Sequence, residues 1–231
     1  MGRRFAIAAV VVIGAIIALN VLAQGLDRAV GGSEPSGVAG SSYGTQPTGL
    51  AAAATLFTRY RHPVLRQRGS LAKATLDPAM TMFVIEPGSL TGDDQATLLE
   101  FVTRGGRLVI GGSEPFYLRG LRDHPPEWDP RGFTSYVDIA PVLSARRIDA
   151  EGVGTWASPG SGTVLAKAGG SALLTSESVG RGEIFFLADA SPLENDYLGR
   201  ADDAAFALGL AGDSTRPNLS PTACSTWRRA S

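Results

Sequence analysis

Residues 80–112 read MTMFVIEPGSLTGDDQATLLEFVTRGGRLVIGG, and they decide the fold. "MTMFVIE" is an apolar run of strand length bounded by Pro78 and Pro87, which marks a buried strand. Thr91 then stands where a helix N-cap belongs, and Asp93 and Asp94 place negative charge in the first turn, where the helix dipole favours it. Leu98, Phe101 and Val102 form an apolar stripe, and Gly105-Gly106 end the helix. "RLVIGG" is a second buried-type strand. Strand, helix and strand in so short a space predict a βαβ unit with a parallel pair.

Outward from this unit, "GLAAAATLFTRYRH" predicts a helix with Leu50, Ala53, Ala54 and Phe57 on one face, followed by a short strand in "PVLRQR". "FYLRGLRDHPPEWDPRGFTSY" holds three prolines and two glycines and reads as a surface excursion. "ARRIDA", "TVLAKA" and "SALLTSES" read as short strands, and "VGRGEIFFLAD" as a turn feeding another. "DDAAFALGLAG" predicts a last helix, opened by Asp202 and Asp203. The tail from Asp213 has no periodicity.

Before all this, Arg3 and Arg4 precede an apolar run from Phe5 to Ala23. As a helix it is about 28 Å long, close to the hydrocarbon thickness of a bilayer. The arginines predict a cytoplasmic N-terminus and an extracytoplasmic remainder. A signal peptide cleaved after the V-x-A at Val21 and Ala23 is the alternative. Residues 25–48 are rich in Gly, Ser and Pro and read as a flexible tether. The expected organisation is therefore a stub and anchor over 1–24, a linker over 25–48, an α/β domain over 49–212 and an irregular tail over 213–231.

The net charge of −1 excludes a basic nucleic-acid-binding field. One cysteine, Cys224, and two histidines, His62 and His124, exclude an internal disulfide and leave little for a zinc centre.

The chemistry concentrates in "FFLADASPLENDYLGRADDAAFAL", residues 185–208, where Asp189, Glu194, Asp196, Asp202 and Asp203 follow an apolar run. Ser191, Pro192 and Glu194 spell a capping box, and the spacing of the acids does not fit a calcium loop. Asp189 stands just past a strand's carboxyl end, where open α/β sheets gather their ligands; an Asp bonding turn N–H groups is the plainer alternative. Ser113 and Glu114, after the strand "RLVIGG", are expected to face the same crevice.

The segments "SSYGTQPTGLAAAATL", "FVIEP…LLEFVTRGGRLVIGG" and "VGRGEIFFLADASPLENDYLGRADDAAFALGL" resemble an actinobacterial membrane-protein family, domain of unknown function 4350. The resemblance implies a glutamine-amidotransferase-like, flavodoxin-like three-layer sandwich with a mostly parallel sheet behind an N-terminal transmembrane helix. It also implies partners in a MoxR-type ATPase system with von Willebrand-like proteins. The family pattern falls on Asp189, Ser191, Asn195, Asp202 and Ala204, with Asp203 standing where the pattern has Asn, so Asn195 and Asp202 join the candidate crevice. A further acidic strand with a His-Gly pair and a second membrane helix are implied after "STRP". "NLSPTACSTWRRAS" supplies neither, which points to a truncated or shifted reading frame.

An amidotransferase needs a cysteine on a tight strand-to-helix elbow. Here the turn reads "VIGGSEP", with Ser113 in half of a G-x-S-x-G elbow and Pro115 at the second Gly position. The expectation is a non-catalytic, membrane-anchored interaction or sensing domain without a cofactor. The alternative is an extracytoplasmic hydrolase using Ser113, drawn as a triad with His124 and Asp189, or a metal bound near Asp189.

Overall fold

The continuous apolar runs become strands buried on both faces. In the computed structural model, which describes residues 40–67, 70–112, 116–130, 137–140, 143–213 and 218–221, β2 (Thr81–Ile85) is buried throughout. After β1 (Val64–Gln67) and β2, β3 (Arg107–Gly111) and β10 (Gly182–Leu187) each keep four buried residues in succession, as strands covered on both sides do.

Three α-helices are described: α1 (Ala51–Arg59), α2 (Gly92–Thr103) and α3 (Asp203–Ala211). The start of α2 matches its sequence reading. The Thr91 hydroxyl accepts from the Asp94 N–H at 3.2 Å, and Asp94 Oδ2 accepts from the Thr91 N–H at 3.1 Å. Asp94 does more than cap, since its Oδ1 accepts from the Ala72 N–H at 2.9 Å and ties the 71–73 turn to the helix. At the other end, Phe101 lies directly on Gly106, where an added Cβ would come within 2.4 Å of the ring. Only glycine permits that approach.

The remaining strands are β4 (Glu127–Asp129), β5 (Val137–Ile139), β6 (Arg147–Ile148), β7 (Thr155–Ser158), β8 (Thr163–Ala168), β9 (Ser171–Val179) and β11 (Asn218–Pro221). Along the main path the sheet order is β1-β11-β2-β3-β10-β9-β8-β5-β6, with β7 joining β9 and β4 joining β7.

The expected flavodoxin-like, doubly wound sandwich is not the fold. The pairs from β1 through β11, β2 and β3 to β10 are parallel, but every pair beyond β10 is antiparallel. The reason lies in the connections. Gly169-Gly170, at φ 57° and 92°, join β8 to β9 in two residues, and Gly180-Arg181 join β9 to β10. A two-residue turn returns the chain antiparallel, whereas a parallel crossover needs a dozen residues or more. Between β3 and β10 no α-helix occurs among the described residues, so half of the sheet has no crossover helices. The result is a mostly-sheet domain with a mixed sheet.

Two further differences concern the domain's limits. Ser41, Ser42 and Tyr43, read as the end of the tether, are buried. β11, from within the tail, is inserted between β1 and β2. The apolar run 5–23 lies outside the described residues, as does Cys224. Among the described residues no helix is long and apolar enough to cross a membrane.

Candidate functional site

β10 delivers the chain into residues 189–203, and the polar side chains there clasp three other segments. Asp189 is 1% exposed. Its Oδ1 accepts from the Ser191 N–H at 2.9 Å, and its Oδ2 accepts from Gly152 at 2.7 Å and Val153 at 3.3 Å. The carboxylate is thus filled by backbone donors from its own turn and from the 151–153 loop.

Ser191 follows the same logic. The expected capping box does not form: Ser191–Leu193 is a single 3-10 turn whose first residue is Ser191, with no side-chain cap. The Ser191 hydroxyl instead accepts from the Glu151 N–H at 2.7 Å. Because Asp189 takes the Ser191 N–H and both side chains reach the same loop, two residues of one turn fasten the 151–153 backbone.

Asn195 fastens the opposite side. Its Oδ1 accepts from Ala52 at 2.8 Å, while Nδ2 donates to the carbonyls of Gly44 at 2.9 Å and Gln46 at 2.7 Å. This is why residues 40–48 belong to the folded domain. Asp202 Oδ2 accepts from Arg146 at 3.0 Å and Arg147 at 3.2 Å. Asp203 Oδ1 accepts from Asp149 at 2.8 Å.

The electrostatics single out two acids that sequence reasoning assigned to helix caps. Burial, then the neighbouring carboxylates of Asp189, Glu151, Glu86 and Asp196, push the Glu194 carboxyl up to about 7. Burial also pushes Asp203 up to about 7; the Asp149 N–H and Arg200 oppose it, and the carboxylates of Asp149 and Asp202 reinforce it. Asp203 is fully buried, and its Oδ2 has no hydrogen-bond partner among the described residues. The N–H groups of Arg146 and Arg147, by contrast, hold the exposed Asp202 carboxyl below the usual range.

Glu86 closes the acidic side of this region. It follows β2 in a left-handed backbone conformation, φ 48°, which carries strain for a residue with a Cβ. Its carboxyl lies against Gly112, where a Cβ would approach within 2.5 Å. The carboxyl ends of β2 and β10 therefore do gather acids, namely Glu86, Asp189 and Glu194. Ser113 and Glu114, expected in the same crevice, lie outside the described residues. The triad drawn through Ser113, His124 and Asp189 meets a carboxylate already bonded to backbone amides, and His124 is exposed. Among the described residues no group of three His, Cys, Asp or Glu side chains is placed to hold a metal.

A second region was missed in the sequence. A cleft of about 970 Å³ opens where residues 119–130 meet the end of β7, and Arg119, Asp123, His124, Pro126, Glu127 and Trp128 line it. The signal was "HPPEW", whose prolines and tryptophan mark a rigid, aromatic-bearing wall as well as a loop. Trp128 Nε1 donates to the Ala188 carbonyl at 3.0 Å, and Trp156 Nε1 donates to that of Phe186 at 3.1 Å. The two tryptophans, register partners across β4 and β7, thus hold this strand pair against the end of β10.

No curated protein matches the chain by sequence. Among solved structures, a β-galactosidase from Bacillus circulans sp. alkalophilus is 14% identical over 71% of this chain and 26% of its own, with a TM-score of 0.49. A β-galactosidase from Rahnella sp. R3 is 16% identical over 64% of this chain and 24% of its own, with a TM-score of 0.48. A cytoplasmic protein of Salmonella typhimurium is 10% identical over 68% of this chain and 76% of its own, with a TM-score of 0.40. The chain spans only about a quarter of the length of these galactosidases. The family model described as Domain of unknown function (DUF4350) matches residues 42–211, which contain the whole 189–203 clasp, and the chain belongs to that family.

Proposed function

We propose that this chain is a membrane-anchored, non-catalytic interaction domain, working in an envelope assembly with partners of a MoxR-type ATPase system. The observation that carries the reading is the use made of the most reactive-looking side chains. Asp189, Ser191 and Asn195 spend their side-chain oxygens on backbone N–H groups, and Asp202 spends its Oδ2 likewise. A general base or nucleophile needs a lone pair within reach of a substrate, and these lone pairs hold the domain together. The anchor rests on Arg3, Arg4 and the apolar run 5–23, and the partner class on the family resemblance.

The test uses the full chain in its own membranes. The protein stays in the pellet after carbonate extraction, and crosslinking followed by affinity capture returns protein partners. A serine-directed fluorophosphonate probe that labelled the chain, with labelling lost in Ser113→Ala, would replace this reading with a hydrolase.

A further inference from the structure

We propose that the cleft beside β4 binds an arginine or lysine side chain of a partner protein. This inference rests on the interaction reading above and names the surface that would serve it. At about 970 Å³, the cleft lies at the upper end of the range typical of ligand pockets, roughly 300–1,000 Å³.

Its aromatic wall is fixed in place. The Trp128 N–H is taken by the Ala188 carbonyl at 3.0 Å. Against the ring stands Gly154, where an added Cβ would come within 2.3 to 2.5 Å of indole atoms. With its N–H and the Gly154 side taken up, the half-buried indole has only its remaining surface to turn to the cleft it lines. An immobile indole surface is the preferred seat for a cation.

The second wall is equally rigid. The Ser161 N–H donates to the His124 carbonyl at 3.1 Å. Gly160, at φ 61°, packs backbone against backbone on His124 and Pro125, leaving 2.4 Å for a Cβ. The prolines there offer no N–H to a ligand.

The charges select the side chain. Asp123 and Glu127 are exposed and line the cleft beside Trp128. Among the described residues Arg119 is the one arginine on the lining, and the nearby Arg122 donates to Glu177. Two carboxylates and an indole against one guanidinium favour a cationic guest.

The probe is a fluorescein-labelled Pro-Arg-Pro-Arg-Pro peptide titrated against the full chain in detergent and read by anisotropy. Its partner probe carries citrulline at both arginines, which keeps the shape and removes the charge. The arginine peptide should bind with a Kd below about 1 mM and the citrulline peptide about tenfold more weakly. Asp123→Asn combined with Glu127→Gln changes two exposed side chains, so its melting temperature should match the parent while binding falls to the citrulline level. Trp128→Ala alone would be ambiguous, because it also releases the Ala188 carbonyl. Equal binding of the two peptides, unchanged binding by the double variant, or none at millimolar concentration would overturn the inference. Crosslinked partner capture separates the two readings. If the double variant captures the parent's partners equally well, the cleft inference falls while the interaction reading stands. If the parent captures none, the interaction reading falls, and the cleft with it as a partner site.

Discussion

Raising the pH from 5 to 8 should destabilise this domain, and Asp203→Asn should remove about half of the effect. Both Glu194 and Asp203 have folded-state pKa values of about 7, against ordinary values of 4.5 and 3.8. The folded state therefore binds more protons than the unfolded chain across the interval between. Stability is greatest below the unfolded pKa and is lost as pH rises through the folded one. Integrated from pH 5 to 8, each group contributes about 2 to 3 kcal/mol of loss. Asp94 and Asp202, whose carboxyls are held low, act in the opposite sense, but only where pH falls through their own lowered values, below this interval. Asn at 203 keeps the acceptor for the Asp149 N–H and cannot ionise. Urea unfolding of parent and variant at pH 5, 6, 7 and 8 decides the matter. The parent should lose about 5 kcal/mol across the series and the variant about half of that, ending more stable than the parent at pH 8. A parent whose stability stays flat or rises with pH, or a variant with the parent's slope, would show that these carboxyls ionise at ordinary pH.

Three further outcomes follow from the clasp and the core. Asn195→Ala removes one acceptor and two donated bonds to residues 44–52, so it should cost about 2–3 kcal/mol and raise amide exchange selectively over 40–52. Ser191→Ala should cost about 1 kcal/mol because the Glu151 N–H loses its acceptor; partner capture per folded molecule should be unchanged, and a loss of capture at full stability would place Ser191 in a binding site. Gly106→Ala drives a methyl into the Phe101 ring and should lower stability by about 1–3 kcal/mol in thermal melts, whereas Gly88→Ala tests backbone strain alone, with open space around it but φ 65°.

The βαβ unit was legible because strand burial, the Thr91–Asp94 cap and the Gly-Gly stop all act within 33 residues of sequence. The reversal of the sheet was legible too, in "KAGGSALL" and "SVGRGEI", since glycine pairs between apolar runs specify tight hairpins. The parallel expectation came instead from the βαβ unit and the family resemblance. What local sequence did not disclose was decided by distant partners. β4 and β7 are three and four residues long and stand through two tryptophans bonded to the 186–188 backbone, and β11 has no apolar run of its own. The clasp was half legible. Its acids were visible, but a carboxylate awaiting a ligand and one filled by a loop 36 residues earlier look alike in one dimension.

The place of β11 bears on the order in which this chain can fold. β1 pairs on its inner side with a strand about 150 residues later, so during synthesis β1 and the adjoining edge of β2 wait for nearly the whole domain to emerge. Contacts so far apart in sequence slow the search for the native state. In the interval β2, mostly apolar and open along one edge, is the segment most exposed to pairing with the wrong strand. A chaperone that shields an extended apolar strand until residues 218–221 arrive would act here on timing rather than on stability.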